Sequence, residues 1–147
     1  MKITDRFLAY AAAFEQAFAS DDWSVVAPHF TEDAVYETPG GPPFGGRHAG
    51  RAALLANFKQ VLDAFDRRFA SRQLEVLAGP EEREGAAWVK WRVTYTLAGA
   101  PDLRIEGEEL AFFRGDQICR LEDRIPAAEG ERTMAYMAAH GARLAGG

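Results

Sequence analysis

Up to about residue 65 the apolar residues of this 147-residue chain recur every three or four positions, and from about residue 70 they gather into short β-rich runs. That change of period fixes the order of elements, helices first and strands afterwards. Between Thr4 and Ala19 the residues Phe7, Ala11, Phe14 and Phe18 form one stripe of an amphipathic helix, with Thr4 or Asp5 placed to cap it. Ser20-Asp21-Asp22 breaks the stripe and can cap a shorter helix carrying Trp23, Val26 and Phe30, after which residues 33–38 read as a strand. A third helix, beginning near His48 or Gly50, stacks Leu54, Phe58, Val61, Leu62 and Phe65. Runs at 70–79, 86–98, 103–113 and 117–125, separated by short polar connections, predict an antiparallel meander. The expected fold is therefore α+β, with N-terminal helices packed on one face of a curved antiparallel sheet. Beyond Pro126 a helix with Met134, Tyr136, Met137 and Leu144 either caps the open end of the sheet or forms a frayed tail over 126–147.

The length suits one domain with one core. A net charge of -5 and the absence of a basic face argue against a nucleic-acid partner. No apolar run approaches the length of a membrane span and no cationic leader precedes an apolar stretch, so the expected location is cytoplasmic. Cys119 is the single cysteine, which rules out an intrachain disulfide. The scattered His29, His48 and His140 offer no metal-ligand spacing.

The densest local signal is the segment from Phe30 to Arg51. An acidic turn leads into a strand ending at Thr38, followed by a loop containing Pro39, Gly40, Gly41, Pro42, Pro43, Gly45 and Gly46. Prolines fix φ and glycines permit turns closed to other residues, so a stiff corner is expected. Such a corner can hold Tyr36 and Thr38 at the rim of a cavity.

This order of elements, with Thr-Glu-Asp-Ala-Val-Tyr at 31–36 and Gly-Arg at 46–47, resembles the nuclear transport factor 2-like superfold and its SnoaL-like branch over about residues 7–125. The 36–48 stretch looks most like limonene-epoxide hydrolases. Tyr36 matches that family's strand tyrosine, Thr38 replaces its asparagine, and Arg92-Val93-Thr94 keeps its arginine but not the carboxylate two residues on. The resemblance places a further carboxylate at Asp123, where SnoaL-type polyketide cyclases also carry an acid/base aspartate. The hydrogen-bond-donating aspartate of ketosteroid isomerases aligns with Glu109, whereas their catalytic aspartate and oxyanion tyrosine fall on Thr38 and Phe14. The resemblance implies a cone-shaped fold and a pocket enclosing these groups, without metal or cofactor.

Strand alternation tests these placements, since residues on one face share parity. Asp123 shares a face with Leu121, Cys119 and Ile125, and Glu109 with Ile105, Gly107 and Ala111. Either assignment could instead be a solvated charge cluster, and Tyr36 could be packing alone. Two placements compete for Arg92. Plain amphipathicity makes Val89, Trp91, Val93 and Tyr95 the inner face and sends Arg92 and Thr94 to solvent. The resemblance turns Arg92 and Thr94 inward, and would leave Trp91 and Tyr95 outside under the second subunit of a homodimer. On the second placement Asp123, Arg92, Glu109 and Tyr36 are the expected catalytic groups, with Thr38, Thr94, Phe14, Phe18, Phe58, Val61 and Leu121 contacting the substrate. The expected activity is a cofactor-independent hydrolase, isomerase or cyclase acting on a small apolar oxygenated molecule. The alternative is a dimeric small-molecule binder without turnover.

Overall fold

The stripe of the first segment forms helix α1 (Ile3–Ser20), which buries Phe7, Tyr10, Ala13 and Ala17. Asp21 ends it in the left-handed conformation, φ 61°, one of the few such positions that a short polar side chain tolerates. The expected cap at Thr4 or Asp5 is not made; Lys2 occupies the N-cap without a side-chain hydrogen bond. Where a short second helix was expected, Trp23–Val25 and Ala27–His29 form two single 3-10 turns, the first capped by Asp22 accepting from the Ser24 N–H at 3.0 Å. The computed structural model describes residues 2–40 and 45–145, so Gly41, Pro42 and Pro43 of the proposed corner lie outside the described residues.

Strand β1 (Phe30–Thr38) begins three residues earlier than the sequence pattern suggests. Strand β2 (Gly46–Ala49), which lacks an apolar period and was read as the approach to a helix, pairs with it antiparallel. Helix α2 (Arg51–Ala64) follows, then β3 (Ser71–Arg83), β4 (Ala86–Thr96), β5 (Leu103–Arg114), β6 (Gln117–Arg124) and helix α3 (Ala127–His140).

The sheet order is β2-β1-β6-β5-β4-β3. From β3 to β6 it is the expected antiparallel meander, but β1 lies parallel to β6, so the sheet is mixed rather than antiparallel throughout. Helices α1 and α2 cover its concave face, where Phe30, Leu54, Ile118 and Leu121 are fully buried. Tyr136 of α3 and Leu144 beyond it close a second cluster with Phe69, Val93 and Tyr95.

Register decides the competing placements of the β4 side chains. Val89 opposes Glu109, Trp91 opposes Gly107 and Val93 opposes Ile105, so the apolar side chains of β4 share the concave face with Glu109. Trp91 is accommodated because Gly107 has no side chain; a Cβ there would stand 2.6 Å from its indole. The apolar patch invoked for a dimer is therefore inside the protomer. The opposite face carries Lys90, the Arg92–Glu106 pair and the Arg124–Glu122 pair. A bulge at Cys119 also corrects the assigned parity of β6: Phe112 pairs with Arg120 and Phe113 with Ile118, so Ile118 takes the inward place expected for Cys119. The half-buried Cys119 thiol donates to the Phe112 carbonyl at 3.5 Å.

Candidate active site

Between the helices and the concave face lies a cavity of about 390 Å³, walled chiefly by aromatic and aliphatic side chains that include Phe14, Phe58, Val61, Val89 and Trp91. Its volume suits a small organic molecule. Polar groups from three neighbouring strands meet on its wall. β1 supplies Tyr36, β5 Glu109 and β6 Asp123, and the pairings Tyr36 with Leu121 and Glu109 with Asp123 bring them together. The Tyr36 hydroxyl donates to Asp123 Oδ2 at 2.5 Å. Phe58 packs edge-on against Tyr36 with ring centroids 5.0 Å apart, and the His48 ring of β2 stacks with it at 6.1 Å.

The electrostatics follow from burial. Desolvation, then the negative charge of Asp123, pushes the Glu109 carboxyl well above the ordinary carboxylate range, and a hydrogen bond to Asp123 adds to this. Burial raises Asp123 as well, but hydrogen bonds from Glu109 and Tyr36 oppose the rise. Burial and the same charge push the Tyr36 phenol well above its usual value, so it stays a donor. Asp123 Oδ1 is buried with no partner if both acids are ionised. One proton held between the two acids supplies the missing donor, and the negative charge of Asp123 favours its staying with Glu109.

That arrangement carries a pH signature. Above the unfolded glutamate value of about 4.3 and below the raised folded value, the native state holds a proton that the unfolded chain has lost. The stability conferred by that proton is fully present below the unfolded value and is lost as pH rises through the folded one. Relative to Glu109→Gln, which is neutral throughout, wild-type stability therefore declines with rising pH, by up to about 1.4 kcal/mol per pH unit for one proton. Urea unfolding of both proteins across pH 5 to 9 checks this; a pH-independent difference contradicts the shared proton.

Several expected contacts fall elsewhere. Arg92 points from the opposite face of β4, 35% exposed, and gives Glu106 Oε1 two hydrogen bonds at 2.9 and 2.7 Å. Thr94, also expected in the cavity, follows the same parity and is buried on that face. Phe18 is held outside the cavity by the Arg67 and Arg72 guanidiniums, 5.6 and 4.8 Å from its ring centroid. Leu121 is fully buried in the core rather than on the cavity wall. Thr38, Phe14, Phe58 and Val61 do line the cavity.

The cavity also holds a polar cluster that no sequence pattern marked. Arg72 of β3 donates from Nε to Asp66 at 3.1 Å and from Nη1 to Glu15 at 2.8 Å, while the Tyr95 hydroxyl donates to Asp66 at 2.7 Å. Burial raises the Asp66 carboxyl, opposed by the Tyr95 hydrogen bond and the Arg72 charge. Asn57 of α2 lies on the same wall. Its signal was a polar residue on an otherwise apolar helix stripe, three residues after Leu54 and four before Val61. Among the described residues no cluster of three His, Cys, Asp or Glu side chains could hold a metal ion, and no helix is long and apolar enough to cross a membrane.

An α+β cone of this kind, with acids opening into a hollow beneath the helices, defines a nuclear transport factor 2-like domain. Family comparison then gives the branch: the SnoaL-like domain family matches residues 11–142, and the chain belongs to it. Among solved structures it is similar to an NTF2-like protein of unknown function from Burkholderia pseudomallei, at 19% identity and TM-score 0.66 over 90% of this chain and 97% of that one. It is also similar to TerC, co-crystallised with polyporic acid, at 16% identity and TM-score 0.65 over 88% and 98% of the two chains. A candidate polyketide cyclase from Sinorhizobium meliloti is 23% identical, with TM-score 0.57 over 78% and 93%. Comparison with curated proteins finds no match.

Proposed function

We propose that this protein is a cofactor-independent enzyme that moves a proton on carbon beside a carbonyl group, as isomerases and cyclases do, in a small and largely apolar oxygenated molecule. The observation that carries the reading is the Tyr36–Asp123–Glu109 group, two acids paired across neighbouring strands and a phenol in a cavity of otherwise mainly apolar walls. Membership of the SnoaL-like family and the likeness to a candidate polyketide cyclase and to a protein crystallised with polyporic acid are consistent with it.

Asp123 is the base. Its carboxylate has about four acceptor positions, of which Tyr36 and Glu109 use two. A carbon-bound hydrogen passes to Asp123 as a proton, the electron pair of the broken C–H bond moves into the enolate, and the Glu109 O–H, released from the now neutral Asp123, turns its hydrogen bond to the enolate oxygen. Return of the proton to a different carbon completes an isomerisation. Attack of the enolate carbon on a second carbonyl, with the proton delivered to the new alkoxide, completes a cyclisation. Tyr36 holds Asp123 in orientation throughout. With Arg92 and Thr94 on the other face, the epoxide-opening route implied by the resemblance lacks its strand arginine, and the Arg72 of the cavity wall is already engaged by Asp66 and Glu15.

Exchange of carbon-bound hydrogen in deuterium oxide tests the reading without knowledge of the product. A panel of cyclic ketones and diketones, followed by proton NMR, is expected to include compounds whose exchange the protein accelerates. Ligands that bind in the cavity without accelerated exchange would identify a binder instead.

A further inference from the structure

One side chain on the cavity wall has hydrogen-bonding groups that the fold does not use. Asn57 is 4% exposed, and neither its Oδ1 nor its Nδ2 has a partner among the described residues. A buried amide left unpaired is costly, and native interiors satisfy nearly all such groups. Its surroundings give no structural reason for an amide, because Leu54, Phe58 and Val61 on the same helix face are apolar and a leucine at 57 would continue the stripe. Asn57 lines the same cavity as Glu109 and Asp123.

We propose that Asn57 is a specificity residue that reads a neutral ligand group offering an acceptor and a donor side by side. A carboxamide, an un-ionised carboxylic acid or a hydroxyl beside a carbonyl meets that description, since the asparagine amide presents the complementary pair. Charge argues for neutrality. The cavity wall holds Asp123, Glu109, Asp66 and Glu15, and its one cation among the described residues, Arg72, is already bound by Asp66 and Glu15. The inference rests on the cavity being the ligand site, as in the function proposed above, but not on proton transfer within it.

Cinnamamide and benzalacetone form a matched probe pair, alike except for an amino group in place of a methyl. Water hydrates the amide more strongly, so an apolar site favours the ketone. Titration calorimetry is expected to show wild type binding cinnamamide about tenfold more tightly than benzalacetone, and Asn57→Leu reversing the preference. A wild type that favours the ketone, or an amide preference that persists in Asn57→Leu, overturns the proposal. The wild-type comparison stands alone if the variant does not fold. The unliganded variant is expected to melt at a higher temperature than wild type, because an apolar group replaces an unpaired amide; a lower one means the amide is satisfied within the fold and also overturns it. Asp123→Asn is expected to retain the amide preference while losing exchange, so failure of the catalytic reading and failure of this one give different results.

Discussion

Asparagine in place of Asp123 is expected to lower the rate of hydrogen exchange in a responsive ketone by about 10²- to 10⁴-fold, with ligand affinity within a few-fold of wild type. The substitution is nearly isosteric, and the amide oxygen can still accept from Tyr36. What disappears is the basic lone pair. The charge that helps hold the proton on Glu109 goes with it, so the Glu109 carboxyl falls toward its ordinary range and ionises more readily at neutral pH. Both effects act on the transition state, which places the loss in kcat rather than KM. Undiminished exchange in Asp123→Asn would remove the aspartate from the mechanism.

Arg72→Met is expected to produce the largest loss of stability, about 3 kcal/mol. The guanidinium is 9% exposed and ties α1, through Glu15, to Asp66, which lies just beyond α2. Removing it strands the Asp66 carboxylate, itself 9% exposed, with only the Tyr95 hydroxyl as partner. Asp66 then protonates more readily in the folded state, so the variant's deficit grows as pH rises through the folded carboxyl value. Chemical denaturation at acidic and alkaline pH measures this. The double variant Arg72→Met, Asp66→Leu is expected to recover much of the loss, since no buried charge is left behind. A single variant as stable as wild type would show that the triad contributes nothing.

Much of the architecture was legible because hydrophobic period survives in single elements. The stripe of Phe7, Ala11 and Phe14, the later α2 stripe and the four β-rich runs all answer to elements in the structure. The mixed character of the sheet was not legible: nothing local in β1 states that it lies parallel to β6, and β2 is four residues of loop-like composition. At the site, parity carried the argument where the strands were regular and failed where other evidence was set above it. Val89, Trp91, Val93 and Tyr95 alternate plainly, and the structure follows that alternation. Turning Arg92 inward required burying a cation against the pattern, and the Glu106 opposite it on the outer face provides the less costly partner. The Cys119 bulge shifts parity by one residue with no glycine or proline to announce it. Asp66 and Arg72 escaped notice because their partners Glu15 and Tyr95 come from distant segments.

The hydrogen bond between Tyr36 and Asp123 joins positions 87 residues apart, on strands whose parallel alignment no hairpin can nucleate. Ring closure over so long a stretch follows the meander rather than guiding it, because the entropic cost falls only once the intervening strands have already aligned. Catalytic competence in refolding is thus expected to lag behind the appearance of secondary structure. The chemistry of this chain would then be the last property that a maturing molecule acquires.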